Sequence, residues 1–173
     1  MPETFEALIR DIPDFPTPGV VFKDITPVLA DPGAFTAVVD AVAAPLIDRG
    51  ITKVLAIEAR GFILGAPVAL AIRAGLVPVR KGGKLPWTVE REEYVLEYGT
   101  DLLEVHNDAI EPGERIVIVD DVLATGGTAA ATVRLARTLG AEVLACSFLI
   151  DLAFLDGRAQ LPGIEVHALL TYR

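Results

Sequence analysis

The amino-acid sequence predicts an α/β fold: a single domain with a central, mostly parallel sheet flanked by helices. Three observations carry this. Runs such as Val54-Leu55-Ala56-Ile57 after Lys53, and Ile116-Val117-Ile118-Val119, are apolar at successive positions instead of alternate ones, as in strands buried on both faces. Segments with helical spacing and helix punctuation separate these runs, and strands alternating with helices assemble into parallel sheets. The chain has 173 residues, 52% of them hydrophobic, which is the length of one domain and enough for one sizeable core.

The elements follow in order. Asp31-Pro32 joins an N-cap residue to a proline at the first helical position. The helix it starts is expected to run through Val38, Val39, Val42, Leu46 and Ile47 to Gly50, with a bend near Pro45. Lys53–Ile57 is a buried strand, Phe62 to Ala74 a helix ending before Gly75, and Leu76-Val77-Pro78-Val79 the next strand. The stretch from Gly82 to Val105 breaks the rhythm with Glu90-Arg91-Glu92-Glu93 and then Tyr94-Val95-Leu96-Glu97-Tyr98-Gly99. It is expected to be a long loop or β-ribbon projecting from the sheet, and long excursions in compact domains often serve as lids. Ile116–Val119 is a third strand, Thr128 to Leu139 a helix closed by Gly140, and Val143 to Ile150 a fourth strand. No repeat or low-complexity linker divides the chain.

Composition excludes several function classes. With 15 basic against 24 acidic residues the net charge is −9, which repels nucleic acid and anionic lipid, so neither is expected as a partner. No stretch approaches the roughly 18–20 uncharged apolar residues of a membrane span. The N-terminus, Met1 to Glu6, is acidic where a signal peptide would be basic, and with a single cysteine this points to a reducing cytoplasm. Two histidines, His106 and His167, and one cysteine cannot build the usual structural zinc site. Cys146 and Ser147 lie inside the apolar run Val143–Ile150 and are expected to be buried strand residues, not nucleophiles. Neither a G-x-S-x-G elbow nor a Walker A or G-x-G-x-x-G loop occurs.

Against this acidic background, Arg80, Lys81, Lys84 and Arg60 are a local concentration of positive charge suited to a small anion. The most specific stretch is Ile116-Val117-Ile118-Val119-Asp120-Asp121-Val122-Leu123-Ala124-Thr125-Gly126-Gly127-Thr128. A buried strand ends in two acids, and a loop of threonines and glycines then opens a helix. Ligands of open α/β sheets bind outside the carboxyl ends of the strands. The turn exposes backbone N–H groups and hydroxyls at a helix N-terminus, which suits a phosphate. The neighbouring carboxylates can accept hydrogen bonds from vicinal ribose hydroxyls, so the unit is of nucleotide type.

This unit resembles the phosphoribosyl-diphosphate (PRPP) motif of type I phosphoribosyltransferases. Pro13-Asp14-Phe15-Pro16-Thr17-Pro18-Gly19-Val20-Val21-Phe22-Lys23-Asp24-Ile25-Thr26-Pro27 narrows the resemblance to the adenine phosphoribosyltransferase family. Glu58-Ala59-Arg60-Gly61-Phe62, Arg80-Lys81-Gly82-Gly83-Lys84-Leu85-Pro86 and Tyr94–Gly99 match further blocks of that family in the same order, so the resemblance covers nearly the whole chain.

The resemblance implies a type I phosphoribosyltransferase fold with a base-covering hood over about residues 1–30 and a mobile catalytic loop over about 82–105. It implies transfer of the phosphoribosyl group of PRPP to adenine, with AMP and pyrophosphate as products and inversion at the anomeric carbon. Mg²⁺ would arrive with PRPP and have no dedicated protein ligand, and the protein would be a cytoplasmic homodimer. Asp120, Asp121, Ala124, Thr125, Gly126, Gly127 and Thr128 would hold the ribose 5-phosphate. Glu58, Ala59, Arg60 and Gly61, at a position that often carries a cis peptide, would hold the diphosphate together with Arg80, Lys81 and Lys84. Backbone groups near Val21, Phe22 and Lys23 would read adenine, Glu97 would manage the purine proton, and Tyr98 would assist loop closure. Phe15 fits hood and core equally, and Trp87 has no assigned role. Two other readings fit the same blocks: a transferase for hypoxanthine, guanine or xanthine, and a non-catalytic PRPP- or nucleotide-binding regulator.

Overall fold

The computed structural model describes residues 5–96 and 99–173. Its strands and helices, in chain order, are β1 (Arg10–Pro13), β2 (Val21–Asp24), α1 (Thr26–Ala30), α2 (Pro32–Ala43), β3 (Lys53–Ile57), α3 (Arg60–Ala71) and β4 (Gly75–Lys81). There follow β5 (Val89–Val95), β6 (Thr100–His106), β7 (Arg115–Leu123), α4 (Gly127–Thr138), β8 (Glu142–Leu152) and β9 (Glu165–Tyr172). Seven strands form the main sheet in the order β5-β6-β4-β3-β7-β8-β9, and β1 and β2 pair separately as an antiparallel ribbon. The run from β4 to β9 is parallel, and β5 and β6 extend it as an antiparallel hairpin.

Continuous apolarity has the consequence expected of it. On β7, Val117 and Val119 enter a core built with Val38, Leu64 and Val68, while Ile116 and Ile118 enter a second core with Leu135, Leu103 and Val105. β3 divides Val54 from Leu55 and Ile57 in the same way. Each fully buried side chain of this size contributes roughly 1.5–3 kcal/mol relative to exposure, so both sheet faces must be covered. Cys146 and Ser147 are buried in β8, and burial pushes the Cys146 thiol up to about 12. No helix among the described residues is long and apolar enough to cross a membrane.

Several boundaries differ from the sequence reading. The helix from Pro32 ends at Ala43 instead of bending at Pro45 and running to Gly50. A 3-10 turn, Ala44–Leu46, follows, then left-handed residues at Asp48 and Gly50. Pro45 has no N–H to donate, so it closes the helix. The next helix begins at Arg60, not Phe62, and ends at Ala71, because Arg73 adopts φ 59°. The third strand continues through both acids to Leu123, because the long β8 keeps offering partners as far as Asp151. The excursion after Gly82 takes the β-ribbon form, one of the two expected, and its base joins the sheet. It is a hairpin with pairs from Val89–His106 to Val95–Thr100, and β6 joins β4 at Arg80–Glu104 and Lys81–Leu103.

Candidate active site

β3 and β7 pair in parallel only as far as Ala56–Val119. Beyond that point β7 is still held by β8, while the chain leaving β3 turns away through a cis Glu58–Ala59 peptide into α3. The divergence opens a cleft beside Asp120 and Asp121. Gly61, in the first turn of α3, lies so close to β7 that a Cβ there would come within 2.9 Å of Asp120 Oδ1 and 3.0 Å of the Val119 carbonyl. A side chain at this position would force α3 and β7 apart.

A cavity of about 410 Å³ occupies the cleft. Its walls bring together Val21, Phe22 and Lys23 from β2, Glu58, Ala59 and Arg60 from the turn into α3, Lys81 from β4, and Asp120, Asp121, Ala124 and Thr128. A smaller adjoining cleft is lined by Ala124, Thr125, Gly126, Gly127 and Thr128 at the start of α4. Gly126, at φ 85°, is the N-cap of that helix, and no side chain caps it. Its first N–H groups and partial positive charge therefore face the cleft, the usual arrangement for a phosphate.

The electrostatics are tightly compensated. Arg60 donates to the buried Asp121 carboxylate, and its guanidinium carbon lies 5.3 Å from the centroid of the Phe22 ring, linking β2, α3 and β7. Asp120 Oδ1 accepts the Asp121 N–H at 2.8 Å. Burial, and then the charge of Asp121, push the Asp120 carboxyl well above the ordinary carboxylate range, with Arg60 opposing. Glu58 accepts from Lys84 Nζ and, at 2.9 Å, from the Lys81 N–H, with Arg80 Nε 3.5 Å away. Burial pulls Glu58 upward, but Lys84, the Lys81 amide and Arg80 together hold its pKa below the ordinary value. Lys81 Nζ donates to Asp101 and Tyr94 Oη. The four cations expected from the sequence are thus near one another, yet each is engaged by a carboxylate.

Gly61, Arg80 and Lys84 do not line the main cavity, Thr125, Gly126 and Gly127 line the adjoining cleft and not the main one, and Glu97 and Tyr98 lie outside the described residues. Lys23 lines the cavity while its ammonium pairs with Asp11 at 2.6 Å and stands 4.0 Å from the Tyr172 ring centroid. Phe15 is 51% exposed and packs edge-on against Phe22, so it is not a core residue. Trp87 is exposed, and its backbone N–H donates to His106 Nε2 at 3.4 Å. Leu152 and Leu155, which also line the cavity, were not anticipated. Leu152 ends β8 and Leu155 closes the 3-10 turn after it, at the carboxyl edge of the sheet where Asp120 also lies. Among the described residues no cluster of three or more His, Cys, Asp or Glu could hold a metal ion. The Asp120–Asp121 pair is the one- or two-carboxylate setting in which Mg²⁺ is held chiefly by substrate phosphates and water.

Comparison with known proteins agrees with this geometry. The phosphoribosyl transferase domain family matches residues 29–160. An adenine phosphoribosyltransferase of Myxococcus xanthus is 58% identical over 166 residues, covering 96% of this chain and 90% of its own length. The crystal structure of adenine phosphoribosyltransferase from Rhodothermus marinus superposes with a TM-score of 0.95 at 53% identity, covering 99% of this chain and 98% of that one. The Saccharomyces cerevisiae enzyme, complexed with an imino-altritol bisphosphate and adenine, gives 0.94 at 38% identity, covering 97% of each chain. Sequence blocks, sheet order and cleft thus converge, and the chain belongs to the adenine phosphoribosyltransferase family.

Proposed function

We propose that this chain transfers the 5-phosphoribosyl group of PRPP to adenine, forming AMP and releasing pyrophosphate. The observation that carries the reading is the single cavity in which an aromatic hood, a cation-bearing turn and an acid pair beside a phosphate-type loop meet. The bond from C1′ of the ribose to the diphosphate oxygen breaks, and a bond from adenine N9 to C1′ forms on the opposite face.

Each group has a task in that exchange. Backbone N–H groups and hydroxyls of Ala124–Thr128 receive the 5′-phosphate, and Asp120 and Asp121 take the ribose hydroxyls. Ala59, Arg60 and Gly61 at the α3 N-terminus hold the diphosphate. Arg80, Lys81 and Lys84, released from Glu58 and Asp101, stabilise the charge that accumulates on it as it leaves. Val21, Phe22 and Lys23 cover the base, and Glu97 takes or holds the proton of the purine ring. Mg²⁺ would arrive with PRPP, with no dedicated protein ligand, and would supply further neutralisation of negative charge on the diphosphate.

The test is AMP formation from adenine, PRPP and Mg²⁺, run beside hypoxanthine, guanine and xanthine. Turnover of adenine above the other bases is expected. Faster turnover of another base would change the substrate, and PRPP binding without product would make the chain a regulator. We also propose that the chain forms a homodimer and acts in the cytoplasm. The exposed Ile63 and Leu70 on α3 support the first, and light scattering tests it. The single buried thiol accords with the second, and cell fractionation tests it.

A further inference from the structure

Asp151, near the end of β8, stands opposite Leu123 on one side and Thr171 on the other, and only 1% of its side chain is exposed. A carboxylate at that depth requires a cation. Arg158 supplies it: Nε donates to Asp151 Oδ2 at 2.7 Å, and Nη1 donates to the Val166 carbonyl at 3.0 Å. Asp151 Oδ1 has no hydrogen-bond partner among the described residues, so compensation falls on Arg158.

Arg158 belongs to the 3-10 turn Gly157–Gln160, and that turn is locked into the threonine–glycine loop. A Cβ on Gly157 would stand 2.2 Å from the Ala124 carbonyl oxygen, and one on Gly126 would stand 2.3 Å from the Gly157 carbonyl oxygen. The two backbones touch with no room for a side chain on either. Neither Asp151 nor Arg158 lines the cavity.

We infer that Asp151 and Arg158 are positioning residues for 5′-phosphate recognition. Their ion pair fixes the Gly157 turn, and the turn fixes the backbone of Ala124–Gly126 whose N–H groups receive the phosphate. The inference rests on the phosphoribosyltransferase reading of that loop.

Steady-state assays with PRPP and adenine, and calorimetric titration with AMP, test it on Arg158→Met and Asp151→Asn. The KM for PRPP and the Kd for AMP are expected to rise about tenfold or more, as for displaced positioning groups. The KM for adenine and kcat are expected to stay within about threefold, since the groups that contact the base and the reacting bond remain in place. Arg158→Lys, which keeps the charge but not the second hydrogen bond, should recover part of the loss. Where a single variant fails to fold, the double variant Asp151→Leu/Arg158→Met removes the buried charge with its partner and carries the same expectation. Unchanged PRPP and AMP values in a folded variant, or an adenine KM that rises as much as that for PRPP, would overturn the inference. Wild-type protein that makes no AMP would overturn the functional reading instead, and the AMP titration would still judge the positioning pair.

Discussion

Arg60 and Asp121 form an ion pair across the seam between α3 and β7, with Asp121 almost wholly buried and Arg60 nearly half exposed. The pair keeps a carboxylate in the cleft without leaving it uncompensated. It also makes the seam sensitive to charge at Asp121.

Replacing Asp121 by Asn leaves an oxygen to accept from Arg60, so the fold is expected to persist and Tm to move by only a few degrees. PRPP affinity should fall about tenfold or more, because a charge-assisted acceptor for a ribose hydroxyl contributes roughly 1.5–3 kcal/mol. Calorimetric titration with PRPP measures this. Full affinity in a folded Asp120→Asn/Asp121→Asn protein would reduce both acids to turn caps.

Glu97→Leu should lower kcat by at least roughly a hundredfold, the lower end for an aligned general acid–base group, and leave PRPP binding near wild type. Tyr98→Phe should do less. A single-turnover assay limited by chemistry decides the point, and a Glu97 variant with most of its turnover would make the carboxylate a bystander.

The depressed pKa of Glu58 gives a pH dependence with a definite sign. A carboxyl whose folded pKa is lowered contributes stability that is present above its ordinary value of 4.5 and lost as pH falls through the lower folded value. Wild type should therefore exceed Glu58→Gln in stability at neutral pH. The gap should close as pH falls below 4.5. Denaturant unfolding of both proteins from pH 7 to about pH 3 tests the sign. A gap that widened toward acid would contradict it.

Gly61→Ala is expected to destabilise by about 1–3 kcal/mol, the usual cost of overpacking, because its methyl would press on Asp120 Oδ1 and the Val119 carbonyl. PRPP affinity should fall with it, since relief of the clash moves the α3 N-terminus. Thermal unfolding and PRPP titration check both effects. An unchanged Tm would show that the cleft tolerates the methyl.

Much of this was legible from local chemistry. Unbroken apolar runs at Val54–Ile57 and Ile116–Val119 identify strands covered on both faces, and the acid pair with its threonine–glycine turn points to the edge where the cavity opens. What escaped depends on partners distant in sequence. That β7 continues through Asp120 follows from the length of β8, which its own residues do not announce. That Lys84 rests on Glu58, or Lys81 on Asp101, depends on β4 lying beside both the α3 turn and the hairpin. Leu152 and Leu155 are ordinary leucines until the sheet order brings them over the cleft.

The chain has one cysteine, and its thiol is sealed on β8 within the core that also holds Ile116, Ile118 and Leu135. That arrangement turns Cys146 into a built-in clock for the centre of the molecule. A thiol-specific reagent meets no competing site elsewhere, so its rate of reaction reports how often the central sheet opens. Slower labelling with PRPP bound would measure how much of the binding energy reaches the sheet, on the same native chain that performs the reaction.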